Sequence, residues 1–204
     1  MALSGALLLL VIGLHMWLVW VGNFPGDVWA LEQGWYPQSN ALNGYANFFQ
    51  ELCTPAVATL IVVVVLGVLL RHKLLRDAAG LVVACVAVAL NALLKLVLGP
   101  SPLWVEAHRA GHNFPSGHVT FVTAVIGYMG LVAWRHGRWW LAALAVALII
   151  GVGPARVVTG IHLVSDCVAG YLLGAAMLVL AAQFVTQTSR KESRWNIANS
   201  EAPA

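Results

Sequence analysis

Apolar runs close to twenty residues long recur along the chain, and they leave few ways for it to fold. Residues 6–21, 55–70, 78–98, 117–134, 139–152 and 162–184 are each nearly free of charge. A helix needs about 20 apolar residues to cross a hydrocarbon core of about 30 Å. In lipid only a helix or a closed barrel satisfies every backbone group. Charged residues make up 9% of the chain, against about 25% in soluble domains. The pattern predicts an all-α integral membrane protein: a six-helix bundle over residues 1–186 and a polar, disordered tail over 187–204. No basic residue precedes the first run and no small-x-small cleavage site follows it, so it reads as an uncleaved span.

The polar breaks carry orientation. Arg71, Lys73 and Arg76 follow the second run, Arg135 and Arg138 the fourth, and Arg190, Lys191 and Arg194 lie in the tail. The positive-inside rule puts these turns and both termini in the cytoplasm. The remaining cations of the eleven, Lys95, Arg109 and Arg156, fall at the outer end. Cations confined to one end of a bundle mark a candidate anion site. The basic residues are too scattered for a nucleic-acid surface. The loop over 23–51 is rich in aromatics suited to the membrane interface. Residues 46–52 are expected to form a short interfacial helix with Phe48, Phe49 and Leu52 against lipid. Cys53, Cys85 and Cys167 sit in or beside apolar segments, an odd count that gives no disulfide framework.

Two polar segments at that outer end carry chemistry. Asn113-Phe114-Pro115-Ser116-Gly117-His118 runs from a loop into the fourth run. Pro115 suits the first turn of a helix, having no N–H to leave unpaired. Ser116 offers a hydroxyl, and the helix start offers free N–H groups and a positive dipole end, which together favour an anion. His118 can carry or release a proton near neutral pH. The second segment, Arg156 to Asp166, opens the sixth run. His162 and Asp166 are four apart and share one face of a helix. A carboxylate on one imidazole nitrogen sets the tautomer and leaves the other nitrogen to attack. Arg156, from the preceding loop, presents a planar fork to two phosphate oxygens. His108 and His112 are also four apart, but Gly111 and Pro115 break any helix that would align them with His118 on a metal.

At these residues the chain resembles the type 2 phosphatidic acid phosphatases, the superfamily that also holds vanadium haloperoxidases and glucose-6-phosphatase. Its three motifs are K-x6-R-P, P-S-G-H and S-R-x5-H-x3-D. The second stands intact as Pro115-Ser116-Gly117-His118. The third stands as Ala155-Arg156-x5-His162-x3-Asp166, with Ala for Ser. The first is degenerate: Lys95 is present, but Pro102 and Leu103 occupy the Arg-Pro positions. The resemblance implies that His162 attacks phosphorus to form a phosphohistidine and that Asp166 orients it. His118 protonates the leaving oxygen and then activates water. Lys95, Arg156, Ser116 and the Gly117 N–H bind the phosphoryl oxygens. Fixed cations and N–H dipoles take the part that a metal plays elsewhere, so no metal or other cofactor is implied.

The expected activity is metal-independent hydrolysis of a lipid phosphate or diphosphate drawn from the outer leaflet of a bacterial inner membrane. The substrate classes are a polyprenyl diphosphate, phosphatidic acid or phosphatidylglycerol phosphate. A lipid-to-lipid phosphotransferase using the same site is the alternative, and a non-catalytic lipid-phosphate binder is a third reading. The missing Arg of the first motif removes one charged clamp, and Arg109 is the candidate replacement. If it fills that place, Arg109→Ala weakens phosphate binding about 10- to 100-fold, the equivalent of about 1.5–3 kcal/mol. Unchanged phosphatase kinetics in that variant would remove Arg109 from the site.

Overall fold

The computed structural model describes residues 2–32, 40–106 and 113–200. Among them no strand occurs. The helices are α1 (Ala2–Val21), α2 (Asp27–Glu32), α3 (Asn40–Leu52), α4 (Pro55–Arg71), α5 (Leu75–Leu98) and α6 (Pro102–Glu106). They are followed by α7 (Gly117–Arg135), α8 (Trp139–Val158) and α9 (Val164–Ser200). Five of them, α1, α5, α7, α8 and the first 23 residues of α9, are long and apolar enough to cross a membrane. The second expected span, α4, is shorter. It reaches that length only together with residues 42–52 of α3, from which it is bent by 59°. Pro55 opens α4 after Thr54 and sets the bend.

Burial sorts the spans broadly in the reverse order of their hydropathy. Within α7, 72% of the span is buried, against 22% for α1 and for α5. The least apolar of the five is therefore the centre of the bundle. Lipid rewards apolar side chains on outer helices, whereas close packing between helices wants small and hydrogen-bonding residues. Helix α7 is clasped by α5, α8 and α9, and α9 also packs along α1. Gly170 and Gly174 on α9 form the seam, as their four-residue spacing suggests. A Cβ at Gly170 would fall 2.8 Å from the Ser116 carbonyl oxygen and 2.9 Å from Val119 Cβ, and one at Gly174 2.5 Å from Thr123 Cβ. Beside this contact, residues 122–126 of α7 wind as a π-turn, a local widening that the apolar pattern does not announce.

Three further expectations are corrected. The fifth helix does not break at Gly153-Pro154: α8 continues to Val158 with Pro154 inside it. Proline removes an N–H and leaves a carbonyl behind it without a partner. Here Tyr171 Oη donates to the Ile149 carbonyl at 2.7 Å and reaches the Ile150 carbonyl at 3.5 Å, while accepting from Gly153 N at 3.0 Å. Tyr45 Oη donates to the Gly151 carbonyl. Neighbouring side chains thus satisfy the kinked backbone within the bundle. Second, α3 starts earlier than residue 46 and turns Phe49 inward, buried in the core beside Gly151, while Phe48 faces out. Third, the polar tail is helical as far as Ser200. Residues 187–200 contain neither Gly nor Pro, so nothing in the backbone stops the helix that α9 has begun.

The seam at Gly170 gives a test. Gly170→Ala must push apart α9 and the start of α7, and is expected to cost about 1–3 kcal/mol of stability. It should lower the melting temperature in detergent; a melt equal to the unsubstituted chain would contradict the close approach.

Candidate active site

The site is assembled where α7, α8 and α9 begin or end at one face of the bundle. Helix α7 starts at Gly117, with Ser116 as its extended N-cap. Pro115 therefore precedes the helix instead of opening its first turn. Asn91, on α5, reaches up to this loop. Its Nδ2 donates to the Pro115 carbonyl and to Thr120 Oγ1, each at 3.1 Å. Its Oδ1 lies 3.3 Å from where a Cβ on Gly117 would stand, so a larger residue there would press on this contact. Phe114 is fully buried and meets the His15 ring of α1 at 5.4 Å between centroids. His15 is thus part of the packing under the loop.

Helix α8 ends in a turn that brings the second segment alongside the first. Thr159 N bonds the Ala155 carbonyl, and Gly160 takes φ +65°, a conformation that favours glycine. The chain then enters α9 at Val164, so His162 lies in the turn and not on the helix as expected. Its contact with Asp166 survives for a different reason. Asp166 is the third residue of α9, and its Oδ2 reaches back to Leu163 N at 3.0 Å, the carboxylate half of a capping box. The same oxygen meets His162 Nδ1 at 3.3 Å. Nε2 is thereby left on the side of the ring away from the carboxylate. Arg156, expected from a loop, sits in the last turn of α8 and is almost wholly buried.

Two hydrogen bonds tie the segments to each other. Asn113 Nδ2 donates to the Ile161 carbonyl at 3.0 Å, and Ser116 N donates to the Asp166 carbonyl at 2.9 Å. As a result the His118 and His162 rings stand 6.3 Å apart, nearly edge to face at 65°. That spacing is close to twice the roughly 3–3.5 Å of a near-attack contact. Lys95, half-buried in the last turn of α5, and Arg156 both act electrostatically on the two imidazoles. Ser116 Oγ and Arg156 Nε are buried with no hydrogen-bond partner among the described residues. Buried donors are rarely left so, and these two belong to residues already expected to hold an anion. Burial holds the His162 imidazole below the ordinary histidine range, Asp166 pulls the other way, and Arg156 and Lys95 add to the lowering. Arg109, together with His108 and His112, lies outside the described residues.

Two residues escaped the sequence reading. Asp27, fully buried in α2, accepts Ser165 N at 2.8 Å and Phe24 N at 3.3 Å. Leu163, at the N-cap of α9, has no polar side chain, and Asp27 supplies that cap from 138 residues away. Burial raises its carboxyl pKa, the two amides counter this, and the nearby Asp166 charge adds to the rise. Gln50, on α3, accepts Arg156 Nη1 through Oε1 at 2.6 Å and so orients the guanidinium. Neither residue belongs to a motif, and only the folded contact reveals it.

A profile of the PAP2 superfamily matches residues 5–190. The chain is similar to a crystal structure described as the first transmembrane PAP2 type phosphatidylglycerolphosphate phosphatase from Bacillus subtilis. The two superpose with a TM-score of 0.73 at 20% identity, over 92% of this chain and 98% of that one. No curated protein matches.

Two outcomes follow from the geometry. Gln50→Ala should weaken phosphate affinity by up to about tenfold, the equivalent of about 1–1.4 kcal/mol, read as a rise in KM or in the inhibition constant of vanadate. The His162 ring should titrate below about 6.5, followed by NMR in detergent and assigned by difference with His162→Gln. A midpoint above that value would contradict its burial.

Proposed function

The chain belongs to the PAP2 superfamily, and from that premise we propose that it hydrolyses a lipid phosphate monoester or diphosphate without a metal, through a phosphohistidine. The observation that carries the reading is the pairing of two imidazoles 6.3 Å apart, one of them backed by a buried carboxylate. His162 Nε2 attacks phosphorus as the bond to the leaving oxygen breaks, and His118 gives that oxygen its proton. His118 then takes a proton from water. The water oxygen bonds to phosphorus, the P–N bond breaks, and inorganic phosphate leaves. Asp166 keeps the Nδ1 proton and stabilises the charge that forms on the ring. Lys95, Arg156, Ser116 Oγ and the Gly117 N–H hold the phosphoryl oxygens, where charge grows in the transition state. The low proton affinity of His162 suits a nucleophile that must be neutral near pH 7.

The substrate is proposed to come from the outer leaflet, its chains staying in lipid while the head group reaches the cations. By the positive-inside rule the basic turns support a cytoplasmic position for the opposite end of the bundle, and we infer from it a site on the extracytoplasmic face of a bacterial inner membrane. A polyprenyl diphosphate, phosphatidic acid and phosphatidylglycerol phosphate each present a terminal phosphate on a lipid and form the panel to test.

Phosphate release from that panel in detergent is expected to persist in EDTA and to fall by at least about 10²–10⁴-fold in His162→Ala. In oxygen-18 water the released phosphate should carry the label. Loss of activity in EDTA, or retained activity in His162→Ala, would overturn the mechanism. Unlabelled product on a second lipid would make the chain a phosphotransferase.

A further inference from the structure

A second group of cations stands at the other end of the bundle, where the proposed chemistry makes no use of it. A cavity of about 580 Å³, open to one side, is lined there by Lys73, Arg76, Asp77, Arg135 and His136, with Val185 among its apolar walls. Sites for small molecules commonly measure about 300–1,000 Å³. Asp77, in this lining, and Lys95, at the other end, lie on the same helix 18 residues apart, about 27 Å along its axis. The two do not share a ligand.

One carboxylate, Asp77, stands in the lining among these cations. Asp77 holds Arg135 at 3.1 Å and His136 at 2.9 Å, so the turn after α7 is fastened to the start of α5. That ties down one wall, and in the lining basic side chains outnumber carboxylates three to one. The first turn of α5, which has no side-chain cap, opens onto the same space. Its dipole adds to the positive potential.

The backbone adds an independent observation. Helices α4 and α7 end in the same type of turn. After α7, Gly137 takes φ +73°, and Arg138 N closes on the Ala133 carbonyl at 2.8 Å. After α4, Lys73 takes φ +58°, and Leu74 N closes on the Leu69 carbonyl at 2.8 Å. Glycine is the usual residue for that conformation, and a residue with a Cβ is strained in it. Lys73 is the only non-glycine with positive φ among the described residues. A strained residue is a pointer to function when its side chain serves something the backbone does not need. Here the side chain lines the cavity.

We propose that this cavity is a binding site for a phosphate-bearing anion, held by Lys73 and Arg76 with Arg135 behind them. Its position at a membrane surface, with Val185 and Leu74 on its walls, fits the head group of an anionic phospholipid. Inorganic phosphate shares the recognised chemistry. The inference stands apart from the proposed hydrolysis and concerns a different end of the molecule.

The test uses the full chain purified in a neutral detergent, with its melting temperature followed against added ligand. Dioctanoyl phosphatidylglycerol is expected to raise the melt by several degrees at concentrations where dioctanoyl phosphatidylcholine does not. The rise should be lost in Lys73→Gly and in Arg76→Gln and kept in Lys95→Gln, which alters only the far site. Lys73→Gly without ligand should melt no lower than the unsubstituted chain, because glycine relieves the turn. An equal rise with inorganic phosphate would support the site with a soluble anion as its occupant, and a rise with the lipid alone would support a head group. Equal shifts with both lipids would overturn the proposal. So would shifts that survive in Lys73→Gly and Arg76→Gln, loss confined to Lys95→Gln, or a lower ligand-free melt in Lys73→Gly.

Discussion

The main-chain carbonyl of Asp166 accepts the amide of Ser116, while its carboxylate accepts the amide of Leu163 and meets the ring of His162. One residue thereby joins the loop that carries His118 to the turn that carries His162, and caps the start of α9. Each bond is modest, on the order of 1 kcal/mol net in water. Inside a bundle, where unpaired polar groups find no solvent, their loss costs more. The position of both imidazoles depends on this junction, since His118 stands at the second residue of α7 and His162 lies in the turn before α9.

The surrounding bundle is shaped to keep the junction buried. Gly170 and Gly174 let α9 lie against the loop and first turns of α7 at backbone distance. Asn91 and Thr120 tie the same turn to α5. Tyr171 satisfies the carbonyls left behind by Pro154, so that α8 continues and delivers Arg156 in its last turn. Gln50, from a helix bent away from α4, completes the hold on that guanidinium. Helices that an apolar environment would leave free to slide are pinned by polar contacts at one end. At the other end, Asp77 does the same for the basic turns.

Some of this was readable early. Charge deficit and run length marked the membrane class, and the spacing of Pro115 to His118 and of Arg156, His162 and Asp166 marked a candidate phosphate site at one end. The details that failed did so for identifiable reasons. A helix was expected to stop at Gly153-Pro154 because proline breaks a local hydrogen bond, and a tyrosine 17 residues further on repairs it. His162 was placed on a helix because four-residue spacing suggests one, whereas a capping carboxylate produces the same contact from a turn.

What the amino-acid order determined by itself was therefore local: which segments are apolar enough for lipid, where chain breakers stand, and which titratable residues recur at catalytic spacing. Those follow from solvation and from the helical period, both of which act over a few residues. Tertiary structure decided that the least apolar span lies at the centre and that Asp27 caps a helix from 138 residues away. It also turned Gln50 onto Arg156 and gathered two basic turns around one cavity. These depend on which faces of the helices meet. Mean hydropathy averages over all faces of a span, so it carries no record of that choice.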